Sequence, residues 1–543
     1  MDRSREGASL KRSLTSFVVI TIAIFTAGAS ARLSTIRAAA QPADAARHVD
    51  ASTHHDVSPP LRDIPQAPRA RTLTERPLRP IPGAPALAPV ADPVVQTSAP
   101  APAATTAGLN FAGVGNGDYG FVPNAAPPDT NGAVGATQYV QWVNESFAVF
   151  NKSTGALVFG PAAGNTLWAG FGGGCETNND GDPIVQYDKL ANRWVFTQFS
   201  VSTTPFLQCV AVSTTSDATG TYNRYSFNYG NEFPDYPKLG VWPDAYYVTY
   251  NIFTNGQTFA GPKVCAWDRT RMLAGAAATQ VCFQLGTTVH SLLPSDLDGT
   301  LPPVPGAPNV LARIATNALQ FWRFHVDFVV PANSTLTGPD SVAVAAFSTA
   351  CGGGTCIPQV DTRQKLDSLA DRAMYRFAYR NFGTFDSWVL NHSVATTLAK
   401  RQASGSGIRW YELHGTTAGA VPTVFQQGTY APDGDFRWMG SIAQDKQGNI
   451  VVGYSASSGA IHPAIRIASR AAGDPLGQLS AETTVIAGGG SQLRSLSRWG
   501  DYSAMSVDPV DGCTFYYTNE YLKANGTFNW STRVASVKVP TCF

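Results

Sequence analysis

The chain has 543 residues, which at roughly 150 residues per domain means several domains or one large repeat fold. Only 14% of residues are charged, and Lys+Arg 39 nearly balance Asp+Glu 38. The resulting net charge of +1 supplies no field for holding a polyanion and argues against a nucleic-acid partner. Gly 50, Pro 37, Trp 11, Tyr 19 and Phe 28 indicate many turns and aromatic strands, which suits an all-β fold rather than a helical bundle.

The N-terminus reads as a signal peptide over residues 1–31. Arg3, Arg5, Lys11 and Arg12 form a basic start, Phe17 to Phe25 is an apolar run, and Ala29-Ser30-Ala31 offers a cleavage site. The apolar run is shorter than the ~20 residues of a membrane span, so the expected product is secreted, with no transmembrane segment after cleavage. Residues 32–108 are rich in Ala, Pro, Thr and Arg and lack apolar periodicity, which predicts a disordered linker or pro-segment.

From residue 109 to 543 short aromatic and β-branched runs alternate with Gly, Asp, Asn and Pro turns. Examples are QYVQWVN (138–144), RWVFTQFSV (193–201), AYYVTYNIF (245–253) and CTFYYTNEY (513–521). One helical turn is expected near Arg269 to Ala276. Similar units open at Asp129, Asp182, Asp235, Asp296, Asp371, Arg437 and Asp501. This imperfect repeat predicts a seven-bladed β-propeller, its last blade completed by a strand from residues 109–114. Six or eight blades and a stacked β-sandwich pair remain open.

All eight cysteines lie in this region, and an even number in an exported chain favours disulfides over a metal site. Local pairing gives Cys175–Cys209, Cys265–Cys282, Cys351–Cys356 and Cys513–Cys542.

In a propeller the blade openings would meet around one channel mouth. Asp182, Asp235 and Asp501 are the candidates for acid, base or nucleophile, since paired carboxylates divide these roles in glycosidic cleavage. Arg372, Arg437 and Arg498 would grip an anionic group, and loss of Arg437 or Arg498 would abolish binding. Trp438 and Trp499 would stack on sugar rings, with Tyr236, Lys238 and Tyr502 completing the wall. Acidic Gly-turns at 129–132, 178–182, 296–299 and 433–435 suit either ordinary Asx-turns or Ca²⁺, and Asp180 with Asp182 form the densest donor pair. Asp–Arg pairs and tryptophans at these positions could equally stitch neighbouring blades together.

There is no G-x-S-x-G, H-E-x-x-H or P-loop motif, and His290, His325, His392, His414 and His462 show no metal spacing. The motifs PPDTNGAVG, GFGGGCETNNDGDPIVQYD, FPDYPKLGVWPDAYYVTYN, FRWMGSIAQDKQGN and RWGDYSAMSVDP resemble a family of large exported bacterial proteins, distantly similar to sialidase-like and BNR-type β-propellers. The resemblance covers most of 109–543, but the S-x-D-x-G-x-T-W repeat of sialidase blades is absent and no catalytic residue set carries over. The expectation is a monomeric, glycan-directed propeller, either a glycoside hydrolase or lyase or a non-catalytic adhesion module on a flexible stalk.

Overall fold

The computed structural model describes residues 45–68, 72–81, 90–100, 105–396, 405–415 and 419–543, with strand assignments alone for 398–399 and 402–403. The expected signal peptide and its cleavage point lie outside the described residues.

The fold is nearly all β. Successive antiparallel meanders open with the strands Asn131–Val134, Ile184–Asp188, Glu232–Val241, Leu293–Asp298, Met374–Asn381, Phe436–Gln444 and Ala504–Val507. Each continues outward through two or three further strands of its own. The fourth and fifth meanders merge into one nine-stranded sheet through parallel pairing of Leu293–Asp298 with Met374–Asn381. Each opening strand packs against the next, and Ala504–Val507 packs against Asn131–Val134, so the circuit closes on itself. The short helix Arg269–Leu273 occupies the expected position, with Asp268 accepting from the Arg271 N–H as its cap. Among the described residues no helix is long and apolar enough to cross a membrane.

Strand alternation explains the packing. Trp142 and Phe147 of the first meander meet Trp194 and Phe196 of the second in one buried cluster. Val210 and Val212 meet Val248 and Trp267 in the next. Val134, Val143 and Phe150 likewise meet Tyr516, Trp530 and Val534 across the closure. A large aromatic side chain buried in such a cluster contributes about 4–6 kcal/mol before its conformational cost.

The chain enters several opening strands in the same way. Asp129, Asp182, Tyr236, Ser291 and Met439 have φ of 45°, 44°, 55°, 52° and 55°. Each stands two residues before paired register begins or resumes, at Asn131, Ile184, Lys238, Leu293 and Ser441. An L-residue in this region is strained by roughly 1–2 kcal/mol. Fixed hydrogen bonds must therefore hold it, and at Asp129 and Asp182 they come from the cluster described below.

The segment expected as a structureless linker is partly built into the sheets. Ala46–Ala51 pairs with Thr279–Gln284, His54–Val57 with Tyr222–Gly230, and Val95–Gln96 with Thr423–Tyr430. Thr106–Ala112 pairs with Trp530–Lys538, so the closing strand begins before residue 109. These strands lie on outer edges, where backbone hydrogen bonds suffice and no apolar alternation is required.

The four disulfides are Cys175–Cys209, Cys265–Cys282, Cys351–Cys356 and Cys513–Cys542, and no cysteine is free.

Candidate functional site

Three opening turns bring acids together. Carboxylate oxygens of Asp129, Asp182 and Asp501 lie within 4.8 Å of one another, and all three residues are buried. Hydrogen bonds fix the arrangement. The Asp501 N–H donates to Asp129 Oδ1 at 2.6 Å, and the Asn144 amide donates to Asp129 Oδ2 at 2.6 Å. Asn144 Oδ1 accepts from the Asp182 N–H at 3.0 Å, and Asp182 Oδ2 accepts from the Tyr236 N–H at 3.2 Å. Asn144 thus locks two acids from adjacent meanders with a single side chain. The Tyr502 hydroxyl donates to Pro183 O at 2.8 Å and ties the last opening to the second.

Cations surround the acids. The Lys238 ammonium is buried, donates to Pro237 O at 2.8 Å, and sits 3.3 Å from the Tyr236 ring centroid and 4.3 Å from that of Tyr502. Arg498 pairs with both Asp501 and Asp367. Arg372 lies 4.6 Å from the Tyr236 ring centroid, but its fork is filled by Asp371 at 2.7 and 2.9 Å. Neither fork is open for an anionic ligand. Asp235, one turn before Lys238, pairs with Arg79 at 3.5 Å, and its side chain remains 20% exposed, so the cluster reaches solvent there.

The acids differ in charge. Burial raises Asp182 to about 7, reinforced by the carboxylates of Asp235 and Asp501 and opposed by Lys238 and Arg76. Burial also raises Asp235 to about 6 against the pull of Arg79. Asp129 is pushed well up by burial and by Asp501 and Asp182. Glu520 is pushed well up by burial and by Asp129. Asp501 goes the other way: burial raises it, but Arg498, Arg372 and Lys238 outweigh burial and keep it ionised below the usual range. Burial lowers Lys238 to about 7, against the attraction of Asp182 and Asp501. A protonated carboxyl and an ionised one therefore stand side by side.

The structure thus gathers Asp182, Asp501, Asp235, Tyr236, Lys238, Tyr502, Arg372 and Arg498, and it corrects other expectations. Arg437 is fully buried and held by Asp433 and Glu482 at 2.8 and 2.9 Å, none of which belongs to the acid cluster. Trp438 and Trp499 are fully buried and pack on each other at 5.8 Å. Ile357, Leu366 and Leu369 cover them, so they form core rather than sugar-stacking walls. Consecutive strand residues face opposite ways, so Arg437 and Trp438 cannot both line one opening.

Asp180 does not join Asp182 as a cation pair. It accepts from the Val201 and Ser202 N–H groups at 2.6 and 2.7 Å. Asp298 is bound by Lys189 and Arg376 at 3.1 and 3.0 Å, and Asp435 by Arg466 at 3.3 Å. Asp180, Asp298 and Asp435 are thus held by protein N–H groups or cations, whereas Asp129 and Asp182 form with Asp501 a group of oxygens that could hold a cation. The sequence reading placed Asp129 at the channel mouth without assigning it a role, and it lacked Asn144, Asp367 and Glu520. Glu520 carries a recoverable signal, as the lone charge in the apolar strand Thr514–Leu522.

No protein-family model matches the chain, and no curated protein does. Among solved structures the chain is similar to an α-L-arabinofuranosidase from Fusarium graminearum at 10% identity, covering 80% of this chain and 99% of that one with a TM-score of 0.35. It is also similar to an exo-β-1,3-galactanase from Clostridium thermocellum at 11% identity, covering 76% and 81% with a TM-score of 0.29. A polysaccharide lyase, a PL25 ulvan lyase, matches at 13% identity, covering 77% and 81% with a TM-score of 0.26.

Proposed function

We propose that this is a secreted, monomeric seven-bladed β-propeller that hydrolyses a glycosidic bond at the opening carrying Asp182 and Asp501. The reading rests on one observation: the Asp182 and Asp501 carboxyl groups lie within 4.8 Å of each other in environments that push the first up by burial and hold the second down by Arg498, Arg372 and Lys238. The closed circuit of opening strands supports the propeller, and the four disulfides support export.

In this mechanism Asp182 is the general acid. It donates its proton to the departing glycosidic oxygen while the Asp501 carboxylate attacks the anomeric carbon. Asp182, now ionised, takes a proton from the water that displaces the sugar from Asp501. The close spacing suits attack by the carboxylate rather than an intervening water, since retaining pairs stand roughly 5 Å apart. Asp235 keeps the Asp182 proton in place through its own negative charge. Arg498, Arg372 and Lys238 keep Asp501 ionised. Lys238, held at about 7, also supports a second reading, a lyase in which its neutral amine abstracts a sugar ring proton.

The test is product release from a panel of polysaccharides, read by reducing-end assay and mass spectrometry. The wild type should cleave at least one polymer to saturated products, and Asp182→Asn and Asp501→Asn should each lose about 10²–10⁴-fold. Unsaturated products would favour the lyase. Retention without cleavage would leave a glycan-binding module.

A further inference from the structure

Besides the stretch that carries Asp367, a described segment outside the meanders reaches the site. Residues 72–81 cross the opening and are held to the stretch that precedes the first meander by two backbone hydrogen bonds, Thr74 N–H to Asn124 O at 2.8 Å and Arg76 N–H to Ala126 O at 2.7 Å. Arg79 Nε donates to Gly256 O at 3.3 Å and Ile81 packs on an apolar cluster, while the remaining contacts are with the opening. Arg76 Nη2 pairs with Glu145 at 2.8 Å, while the Arg76 carbonyl accepts from Arg498 Nε at 3.2 Å. Arg79 pairs with Asp235 at 3.5 Å and lies 3.9 Å from the Phe233 ring centroid. Arg76 Nε is buried with no partner among the described residues.

We propose that this segment is a removable strap that closes the acid site in the resting protein. The proposal rests on the reading of the site given above. Two features mark the contact as releasable. The strap joins none of the meander sheets and forms only a two-residue parallel pairing of Thr74 with Ala125 and Glu75 with Ala126. Its ion pairs use guanidiniums whose side chains are 28% and 33% exposed, so salt competes with them. The strap presents N–H donors to Asp235 and Glu145. A ligand that displaces it would replace those donors with the hydroxyl or ammonium groups of a neutral or amino sugar rather than with an anion.

The test is carbodiimide-driven amine labelling of the full chain, read by peptide mass spectrometry at Asp501, which neither strap arginine pairs with. Arg76→Ala/Arg79→Ala should raise Asp501 labelling about tenfold, the scale of a cover losing its ion pairs. Wild-type labelling should rise with salt while the double variant stays insensitive. This arm needs no substitution and stands if the variant folds poorly. Arg62→Ala, which removes the separate pair with Asp217, should change nothing. Unchanged Asp501 labelling, or a rise confined to Asp235, would overturn the strap. Turnover on the polysaccharide panel is scored separately. Its absence in both wild type and double variant would fail the hydrolase reading without bearing on the labelling result.

Discussion

The Asp501 N–H donates to Asp129 Oδ1 at 2.6 Å, joining residues 372 positions apart and linking the last opening strand to the first. Asp129 also accepts from Asn144, so one carboxyl group serves both ring closure and the acid cluster. Burial, with the neighbouring carboxylates of Asp501 and Asp182, pushes it well above the usual carboxylate range. Asp129→Asn keeps one acceptor and turns the other position into a donor facing a donor, so it should lose part of the stability that full truncation loses. Asp129→Ala should lose about 2–4 kcal/mol, because it leaves the Asp501 N–H and the Asn144 amide buried without an acceptor. Chemical denaturation of the pair checks this.

The acid cluster should make stability depend on pH. Folded Asp182 and Asp235 hold protons up to about 7 and about 6, whereas the unfolded chain releases them near the ordinary value of 3.8. Their stabilising contribution is full below about pH 4 and is lost as pH rises through 6 to 7. Asp182→Asn mimics the protonated form. Between pH 5 and 7 its melting temperature should gain on the wild type, on the order of 2 kcal/mol in stability. Above pH 7 Lys238 acts in the opposite sense, since the folded chain gives up that proton before the unfolded chain does.

Hydrolysis should share this origin. Activity should fall on the alkaline side with a limb near pH 7, as Asp182 loses the proton it must donate. On the acid side it should persist to below the ordinary carboxylate range, where Asp501 at last protonates. A rate–pH profile of the wild type would show both limbs.

Arg437→Ala should reduce stability and leave ligand binding and turnover untouched. The substitution strands Glu482 and Asp433, but Arg466 still reaches Glu482 and Asp433 is half exposed, so the loss is about 2–3 kcal/mol. Thermal melting alongside the polysaccharide assay separates the two roles.

Disulfide removal should follow loop length. Cys175–Cys209 closes 34 residues and Cys351–Cys356 closes five. Replacing the first pair by alanine should cost about 4 kcal/mol and the second about 2 kcal/mol.

The meanders were legible because alternation and turn chemistry act over a few residues. QYVQWVN and RWVFTQFSV lie on the strands Gln138–Val143 and Arg193–Ser200. The outer strands at Ala46–Ala51 and His54–Val57 were not, because edge pairing through the backbone leaves no apolar pattern in ARHVDA or HHDV. In the site, Asp182 and Asp501 were legible from their place in the repeat. Trp438 and Trp499 were misplaced because nothing local shows that Ile357 and Leu366 fold over them. The bulge after Trp438, with Met439 at φ 55°, also resets which face each residue takes.

The central claim is that a protonated Asp182 stands beside an ionised Asp501. Infrared difference titration of carboxyl groups tests it without any substrate. The account predicts, beside the components of Asp129, Asp235 and Glu520, one further component of the protonated carboxyl band that titrates near pH 7 in the wild type, and that component is missing from Asp182→Asn. If no such carboxyl titrates near neutrality, or if that component survives in Asp182→Asn, the acid–nucleophile assignment is contradicted.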